Sequence, residues 1–389
     1  MKAYRFKLKP TKRQIADFEQ WLDVCRELYN AGLQERRDAY RMCGVSINYH
    51  HQALELPEIK AIRGDVAQVN AQVLQDVLRR LSKTFDAFFR RCKSGEKPGF
   101  PRFKGRDRYD SFTFPQMKGA FRIEGNRLHL SKLGKVRIIQ HRPIEGEIKT
   151  CTIKREADGW YAIFTVEESY SPFIPKTGEV AGVDLNISNF ATLSTGEVID
   201  NPRFLRTSEK RLVTAQRKVS RRKKGSQRRK KAARLLAKQH LKIKRQRLDF
   251  FHKATNQIIR EFDEIAVEDL NIKGLLKNHR LAKSISDAAW GTFLSILTSK
   301  AEGAGRRVWK VPPQFSSQDC SRCGNRVRKS LAVREHRCIA CGLVIDRDHN
   351  AALNIKARAS LSGSEKVASH EELRTSISST TSAEAVRFS

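Results

Sequence analysis

The segment CSRCGNRVRKSLAVREHRCIACGLVIDRDHNAALN spans residues 320–354 and contains two CxxC pairs, each followed by a glycine. A CxxC pair places two thiolates on one tight turn, and two such turns complete a closed tetrahedral four-sulfur site for zinc. The four predicted ligands are Cys320, Cys323, Cys338 and Cys341. A disulfide or redox pair is the less favoured alternative, because a dithiol enzyme needs one CxxC beside a βαβ unit. We therefore predict a structural Zn²⁺ ion, with no open position for catalysis.

An acidic turn and an Ala-rich helix follow the last cysteine pair, in the order VIDRDHNAALNI at 344–355. Asp346 and Asp348 lie where this helix is predicted to begin, and acidic residues are favoured at a helix N-terminus. Simple capping explains one such carboxylate. A catalytic interpretation gains weight only if other carboxylates converge on the same place.

The charge balance of the 389-residue chain is strongly basic, with 76 Lys and Arg against 42 Asp and Glu and a formal net charge of +34. Such a surface attracts polyanions, so nucleic acid is the expected partner. No apolar run is long enough to span a bilayer and no signal peptide is recognisable, so no membrane contact is expected. The other four cysteines are scattered singly, which fits a reducing cytoplasm. The length predicts two or more domains.

The first part of the chain combines helices and short strands. Apolar and polar residues alternate through 1–8, which predicts one strand. In 11–92 apolar residues recur at the three- and four-residue spacing of amphipathic helices. Short strands with glycine turns between them recur from 121 to 168. We predict an antiparallel β-barrel at 1–10 and 115–172, with a helical domain at 11–114 inserted into it.

A basic and aromatic segment, residues 93–114, closes the predicted helical domain. Its Phe and Tyr residues alternate with cations that include Arg102 and Lys104, and its Pro and Gly residues forbid a long helix. Aromatic rings stack on bases and cations pair with phosphates. This composition favours contact with single-stranded or irregular nucleic acid.

A helical stretch at 207–262 carries the most basic part of the chain. Residues 217–247 contain 16 Lys or Arg among 31 residues and no acid, and Gly225 and Ser226 are a candidate break. A helix of like charges repels itself without a polyanion, so binding is favoured over a solvated face. The predicted nucleic-acid contacts are Arg221, Arg222, Lys223, Lys224, Arg228, Arg229, Lys230 and Lys231, together with Arg102 and Lys104.

Two apolar strands in the second half each carry one acid. Asp184 lies in VAGVDL and Glu268 in FDEIAVEDL. A charged side chain in a buried strand is costly unless it pairs or binds a metal, although each acid could still face solvent at a strand end. Three hairpin-forming strands, a helix, a strand and a late helix carrying Asp348 give the chain order of a ribonuclease-H-like sheet. In that arrangement the acids hold two Mg²⁺ ions about 4 Å apart for phosphodiester hydrolysis.

Five motifs resemble the TnpB (OrfB) proteins of bacterial insertion sequences, an RNA-guided DNA endonuclease family related to compact type V CRISPR effectors. They are the paired CxxC motif, GVDLN at 182–186, VEDLN at 267–271, PGFPRFK at 98–104 and DRDHNAALNI at 346–355. The resemblance covers residues 1 to about 356. It implies that Asp184, Glu268 and Asp348 are the catalytic, Mg²⁺-binding acids and that the four cysteines bind zinc. Asp346 is the alternative third acid.

The resemblance also implies an α+β multidomain architecture. The β-barrel would be a wedge domain with an inserted helical recognition domain. A RuvC-like α/β nuclease domain would follow a linker at 171–176, occupying 176–319 and 343–356, with a zinc ribbon inserted at 320–342. Residues 357–389 would form a disordered tail, because they are rich in Ser and Thr.

The implied partners are a guide RNA from the transposon end and target double-stranded DNA, with a companion transposase left open. The expected location is the cytoplasm of a bacterium or archaeon, in association with the nucleoid. Two other functions stay open from the sequence. One is a nuclease-inactive, RNA-guided DNA-binding regulator. The other is a transposase or transposition accessory protein that acts on the element ends.

Overall fold

The structure is a computed structural model that describes residues 1–167, 174–330 and 332–359. The chain divides into two compact units, Met1–Tyr170 and Ser171–Ser389. The division falls at the start of the predicted linker at 171–176, of which 171–173 lie outside the described residues. The predicted tail lies outside them from residue 360 onward.

The first unit contains a seven-stranded antiparallel sheet. Its strands are β1 (Lys2–Lys9), β2 (Ser111–Phe114), β3 (Phe121–Glu124), β4 (Arg127–Leu130), β5 (Gly134–Ile139), β6 (Glu147–Glu156) and β7 (Gly159–Glu167). They are ordered β2-β6-β7-β1-β5-β4-β3. The N-terminal strand lies in the middle of the sheet, where Tyr4 is opposite Phe164. The prediction that this strand joins the later strands is therefore confirmed.

The prediction of a closed β-barrel is wrong. In the described part of the chain, the outer strands β2 and β3 do not pair with each other, so the sheet is open. Both outer strands are only four residues long, which is short for the stagger that closure needs. A helix covers the apolar face instead: the rings of Phe18 and Trp21 lie 6.0 and 5.4 Å from that of Phe112 in β2.

Five helices lie between β1 and β2 in the first unit: α1 (Lys12–Cys43), α2 (Tyr49–Leu54), α3 (Leu56–Ile62), α4 (Gly64–Ala67) and α5 (Ala71–Lys93). Helix α1 begins with a capping box in which the Thr11 side chain accepts from the Gln14 amide and the Gln14 side chain accepts from the Thr11 amide. Val73, Val77 and Leu81 of α5 are buried, because its apolar side faces the core of this unit.

Part of the basic and aromatic segment belongs to the hydrophobic core, although its composition predicts a nucleic-acid contact. Phe112 and Phe114 are fully buried in β2, and Tyr109 is only 6% exposed, so these three rings belong to the core. Phe100 and Phe103 are 47% and 45% exposed and remain accessible for stacking. The segment contains one turn of 3-10 helix, Arg106–Arg108.

The second unit contains a mixed five-stranded sheet. Its strands are β8 (Val180–Leu185), β9 (Ala191–Leu193), β10 (Val198–Ile199), β11 (Glu264–Glu268) and β12 (Arg307–Val311), in the order β10-β9-β8-β11-β12. The first three pair antiparallel as a meander. β8, β11 and β12 run parallel to one another. Apolar side chains of these strands pack against helices, with Val183, Ile265 and Val267 fully buried.

Six helices accompany this sheet: α6 (Phe204–Ser220), α7 (Gln227–Glu261), α8 (Ile272–Leu275), α9 (Ala282–Ala288), α10 (Trp290–Gly303) and α11 (347–359). The stretch predicted as one long helix is α6 and α7, separated at 221–226, where Gly225 has a φ of 83°. The side chain of Ser226 then caps α7 by accepting from the Arg229 amide. Helix α11 continues through residues 357–359, which were predicted to belong to the disordered tail.

The cysteine module contains a small antiparallel pair, β13 (Glu335–Arg337) and β14 (Val344–Asp346). Glu335 pairs with Asp346, so β14 ends where α11 begins. Within the described residues, every helix is too short or too polar to cross a membrane.

Candidate active site and metal centre

The last helix lies directly against the first strand of the mixed sheet. A Cβ atom at Gly182 would come within 2.0 Å of the Ala352 carbonyl oxygen and 2.6 Å of the Lys356 amide nitrogen. Only glycine leaves room for this approach. The contact holds α11 across β8, with Asp184 two residues beyond the glycine and Asp348 in the first turn of the helix.

The two strand acids lie on neighbouring strands. Val183 pairs with Val267 in the parallel register, so Asp184 and Glu268 are the next residues on adjacent strands, which lie about 4.8 Å apart. Both acids are at the carboxyl ends of their strands. Each is 8% exposed, and Asp348 is 6% exposed.

The two acids at the start of α11 have different surroundings. Asp346 is exposed and acts as the helix cap, because its Oδ1 accepts from the amides of Asp348 at 2.9 Å and His349 at 3.0 Å. Asp348 is buried and interacts electrostatically with Asp184. These observations favour Asp348 over Asp346 as the third member of the acid cluster.

The surroundings of the acid cluster oppose the ionisation of Asp184. Burial and, to a smaller extent, the neighbouring charges of Glu268 and Asp348 together raise the pKa of Asp184 to about 8. Burial also raises the pKa of Glu268, although the Ser316 hydroxyl and the charge of Arg358 oppose the shift. A buried carboxyl whose ionisation is opposed by two neighbouring carboxylates is a site to which a cation binds favourably.

Protein groups hold two of the acids more firmly than the third. Arg347 donates to Asp348 Oδ1 from Nε at 3.0 Å and from Nη2 at 2.8 Å. Arg334 Nη1 lies 3.6 Å from Asp348 Oδ2. Ser316 Oγ donates to Glu268 Oε1 at 2.6 Å, whereas the contact to Asp184 from Asn186 Nδ2 is long, at 3.4 Å.

The donor set of the acid cluster fits a hard divalent cation, because carboxylate oxygens are the ligands that Mg²⁺ prefers. Among residues 1–167, 174–330 and 332–359, the four cysteines are the one group of three or more His, Cys, Asp or Glu residues whose ligand atoms are grouped closely enough to hold a metal ion, and those atoms all lie within 4.8 Å of one another. The three carboxylates are thus neighbours whose oxygens point to their own protein partners. A cation shared by all three acids would require their carboxylates to come closer together.

The four predicted cysteine ligands meet in one cluster. The Sγ atoms of Cys320 and Cys341 are 3.6 Å apart, and those of Cys323 and Cys338 are 3.5 Å apart. A tetrahedral site with Zn–S bonds of about 2.3 Å requires sulfur separations of about 3.8 Å. A backbone hydrogen bond from Cys341 lowers the pKa of Cys338 to about 6, whereas the pKa of Cys323 is raised to about 12, because a backbone hydrogen bond from Asn325 is outweighed by the neighbouring thiols and burial. The protein alone thus favours one thiolate, and the others form as a metal binds. The cluster can therefore hold a zinc ion.

A positively charged cavity of about 570 Å³ borders the acid cluster through Asn186 and Arg347. Its basic lining residues are Arg203, Arg206, Arg280, Lys283, Arg334 and Arg347. One acidic residue, Asp287, also lines the cavity. Its carboxylate accepts hydrogen bonds from Arg247 Nη2 at 2.8 Å and from the backbone amides of Leu205 and Arg206. The cavity is suited to an anion. The sequence did not predict that these basic residues would lie together. Only Arg347, which lies between two acids in the motif DRD, had a local pattern that could have indicated a place near the acid cluster.

The predicted nucleic-acid residues of α6, α7 and the turn between them are largely accessible. All of the eight are exposed except Arg229, which is half-buried. A groove of about 1020 Å³ is lined by α6 and α7, and its charged lining residues are all basic: Lys210, Arg211, Lys218, Arg222, Arg228 and Lys231. In the first unit Arg102 is exposed, while the Lys104 backbone is fixed by two hydrogen bonds with the Asn30 side chain.

The fold and the site define an α+β protein with a buried acid cluster on a mixed sheet and an adjoining four-cysteine centre. Three family models match the chain: one described as "Probable transposase" at 164–279, one as "Cas12f1-like, TNB domain" at 290–355 and one as "Helix-turn-helix domain" at 1–44. The third description does not fit the structure, where residues 1–44 form β1 and the continuous helix α1.

Related proteins match along most of the chain. A Streptomyces pristinaespiralis protein named "Putative RNA-guided DNA endonuclease" is 35% identical over 364 residues, which cover 92% of this chain and 89% of that protein. "Putative RNA-guided DNA endonuclease InsQ" of Escherichia coli is 28% identical, covering 92% of each. The solved structure of a mini-RNA-guided endonuclease, CRISPR-Cas phi3, covers 92% of each chain with a TM-score of 0.50 and 10% identity, which is a likeness of fold alone. The chain belongs to the TnpB (OrfB) family.

Proposed function

We propose that this chain is an RNA-guided, metal-dependent DNA endonuclease of an insertion sequence. The observation that carries the proposal is the proximity of Asp184, Glu268 and Asp348, buried together in one strongly basic chain. The names of the Streptomyces and Escherichia relatives support the same activity.

The strand order supports a RuvC-like, ribonuclease-H-like assignment for the second unit. An antiparallel meander of three strands is followed by two strands parallel to the first, in the order β10-β9-β8-β11-β12. Acids at the carboxyl ends of β8 and β11 and in the first turn of α11 occupy one region of this sheet. The arrangement agrees with the chain order that the sequence predicts for such a nuclease.

In this proposal Asp184, Glu268 and Asp348 hold Mg²⁺, which when bound activates water and stabilises the leaving oxygen of a phosphodiester. The chain's own residues provide the setting. Burial keeps bulk water from the carboxylates and, with the neighbouring charges of Glu268 and Asp348, raises the pKa of Asp184 to about 8, so at neutral pH this acid releases a proton when a cation binds. Arg347 and Arg334 restrain the carboxylate of Asp348.

The basic cavity beside the acids is the proposed place for the phosphates that flank the reacting one. Arginine side chains pair with phosphate oxygens in a fixed fork geometry, and the cavity contributes several of them. Because Asn186 lines the cavity and also contacts Asp184, a strand bound there passes next to the acid cluster. The cluster alone would repel DNA, and these cations reverse that effect locally.

The guide RNA and the target DNA are proposed to bind the basic surface of α6, α7 and their turn, with a further contribution from Arg102 and Lys104. Sequence specificity would then come mainly from base pairing with the guide. The four cysteines would hold zinc as a structural ion, since their site is closed by protein sulfur. The proposal places the chain with the DNA of a bacterial or archaeal cell.

The experiment that tests the guided activity is sequencing of the RNA that co-purifies with the protein, followed by cleavage of a plasmid carrying the matching target. We expect one discrete transcript from the neighbouring transposon end and cutting that depends on it. Random host RNA together with guide-independent cutting would contradict the proposal.

A second candidate, a transposase that acts on element ends, is favoured by the "Probable transposase" description of the family model at 164–279. Such an enzyme, or an accessory to a companion transposase, would act without RNA. Ribonuclease treatment of the purified protein separates the two: guided cleavage is lost, whereas RNA-independent strand transfer at element ends persists. A guided regulator without nuclease activity would bind the target plasmid and leave it intact.

A further inference from the structure

We propose that Ser316 is a positioning residue for Glu268, and that Asn350 and Asn354 connect it to the helix that carries Asp348. The cysteine centre and the acid cluster would then form one mechanical unit, in which zinc at the cysteines orders the acids. The measurement of metal binding at the acids rests on the proposed function, whereas the measurement of zinc release from the cysteines does not.

The first step of the connection is a buried hydrogen bond. Ser316 Oγ lies 2.6 Å from Glu268 Oε1, and the two residues are 6% and 8% exposed. A short bond between a hydroxyl and a carboxylate in a dry setting fixes the carboxylate rotamer strongly. Ser316 also lies only four residues before Cys320, in the loop that follows β12. One residue thus links the loop entering the cysteine centre to an acid of the cluster.

The second step joins the same loop to α11. Asn354 Nδ2 donates to the carbonyl oxygens of Ser316 at 2.8 Å and Asp319 at 2.7 Å. The side chain on α11 therefore holds the backbone of the residue whose hydroxyl holds Glu268. Two acids from distant parts of the chain are positioned through one short loop.

The third step reaches the first cysteine. Asn350 is fully buried, its Nδ2 donates to the Asp319 carbonyl at 2.8 Å, and its Oδ1 accepts from the Ser321 amide at 3.0 Å. The residues on both sides of Cys320 are thus fixed by one amide side chain, which lies two positions after Asp348. The side-chain amide of Asn350 uses both its donor and its acceptor, so a hydrophobic side chain at 350 would remove the partner of the Ser321 amide and leave the Asp319 carbonyl with Asn354 alone.

Groups that support metal ligands in this way change metal affinity without binding the metal themselves. If the connection works as proposed, loosening Ser316 weakens cation binding at the acids, and loosening either asparagine also destabilises zinc at the cysteines. A purely structural role for these residues would lower the melting temperature and leave both metal equilibria of the folded protein unchanged.

The test uses the full chain carrying zinc, with Mn²⁺ as the probe for the acid cluster, measured by isothermal titration. Ser316→Ala should weaken Mn²⁺ binding roughly tenfold, the lower end of the effect of removing a supporting group, while Ser316→Thr, which keeps the hydroxyl, should stay within about twofold of wild type. Ser330→Ala is the matched control, because Ser330 is exposed and lies between the two cysteine pairs. Equal Mn²⁺ affinity for Ser316→Ala and Ser330→Ala overturns the positioning role.

Zinc transfer to a coloured chelator tests the second and third steps. Asn354→Ala, at a half-buried position, and Asn350→Ala should release zinc roughly tenfold faster than wild type. If Asn350→Ala fails to fold, Asn354→Ala still decides the matter, and release at the wild-type rate overturns the connection. A wild-type protein that does not cut DNA but shows both metal effects would refute the proposed function alone. Cutting by wild type with neither effect would refute this inference alone.

Discussion

Gly182 in β8 lies so close to Ala352 in α11 that a Cβ atom at position 182 would be 2.0 Å from the Ala352 carbonyl oxygen. The Cβ atom would be bonded directly to the backbone of β8, and the carbonyl oxygen belongs to the backbone of α11. Rotation of a flexible side chain therefore cannot relieve the contact. The spacing between strand and helix sets the distance between Asp184 and Asp348. A glycine in GVDLN is thus a geometric requirement of the acid cluster.

Replacing Gly182 with alanine is therefore expected to displace α11, lower the free energy of unfolding by about 2–3 kcal/mol and abolish cleavage. Thermal unfolding and a plasmid-cleavage assay measure the two effects. Gly303→Ala is the matched control: this glycine lies in α10, a Cβ there meets nothing within 4 Å, and its stability and activity should match wild type. A Gly182→Ala protein that cuts at the wild-type rate would contradict the close packing.

The raised pKa of Asp184 predicts a pH-dependent stability in metal-free buffer. Burial, Glu268 and Asp348 move the pKa of this acid from 3.8 to about 8 in the folded state. Between these values the folded state binds more protons than the unfolded state, so stability falls as the pH rises from about 4 to 8. Asp184→Asn should remove this loss and increase the free energy of unfolding at pH 8 by on the order of 2 kcal/mol.

Thermal unfolding in EDTA from pH 5 to pH 8.5 measures the effect. The advantage of Asp184→Asn should shrink toward pH 5 and should also shrink when Mg²⁺ is added to both proteins. Asp263→Asn is the opposite control: burial alone would raise the pKa of Asp263, but backbone hydrogen bonds from Gly178 and Thr177 lower it. That variant should be less stable than wild type near neutral pH, and a destabilised Asp184→Asn protein at pH 8 would count against the acid cluster.

The cysteine centre predicts one tightly bound zinc ion per chain. Cys338→Ser should lose it and lower the free energy of unfolding by at least about 2 kcal/mol, because binding free energy at a structural zinc site contributes to folding. Elemental analysis and calorimetry are the measurements. Cys43→Ser and Cys92→Ser alter exposed cysteines of the other unit and should keep both the metal and the stability. Zinc retained at full occupancy by Cys338→Ser would exclude this centre.

The turn between α6 and α7 predicts a measurable salt dependence. Changing Arg221, Arg222, Lys223 and Lys224 to Gln should reduce the slope of log K against log salt for RNA binding by about 3, since each phosphate contact contributes about 0.7–0.9. Fluorescence anisotropy in a potassium chloride series measures it.

The matched control removes the same formal charge from cations that already have carboxylate partners. These are Arg5 with Glu156, Lys7 with Asp158, Lys149 with Glu147 and Lys154 with Asp110. Their Gln variant should change the slope by less than about 1. Equal changes in the two variants would show that net charge, and not the turn, governs binding.

Local sequence patterns predicted most elements of the fold. The strands that carry Asp184 and Glu268 could be predicted because apolar residues surround each acid in the sequence. The cysteine cluster could be predicted because each CxxC pair places two ligands on one short turn. No local pattern indicated the break between α9 and α10, because the residue with a positive φ there, of 50°, is Ala289 and not a Gly.

Contacts between distant parts of the chain were harder to predict. The 2.6 Å bond from Ser316 to Glu268 and the approach of Ala352 to Gly182 depend on how the sheet, the cysteine loop and α11 pack, which no local periodicity encodes. The closed barrel failed for a related reason. Strand patterns specify that β2 and β3 form, but they do not specify whether the two edges meet or a helix covers the open face.

The central claim is that Asp184, Glu268 and Asp348 together cut DNA under RNA guidance. The most direct test compares wild type with Asp184→Asn and Glu268→Gln, each purified with its RNA, on a plasmid that matches the guide. We predict that wild type cuts in Mg²⁺ and not in EDTA, and that both variants retain the RNA but cut more than about 100-fold more slowly. Either variant cutting at the wild-type rate in Mg²⁺, or wild type cutting equally well in EDTA, would contradict the claim.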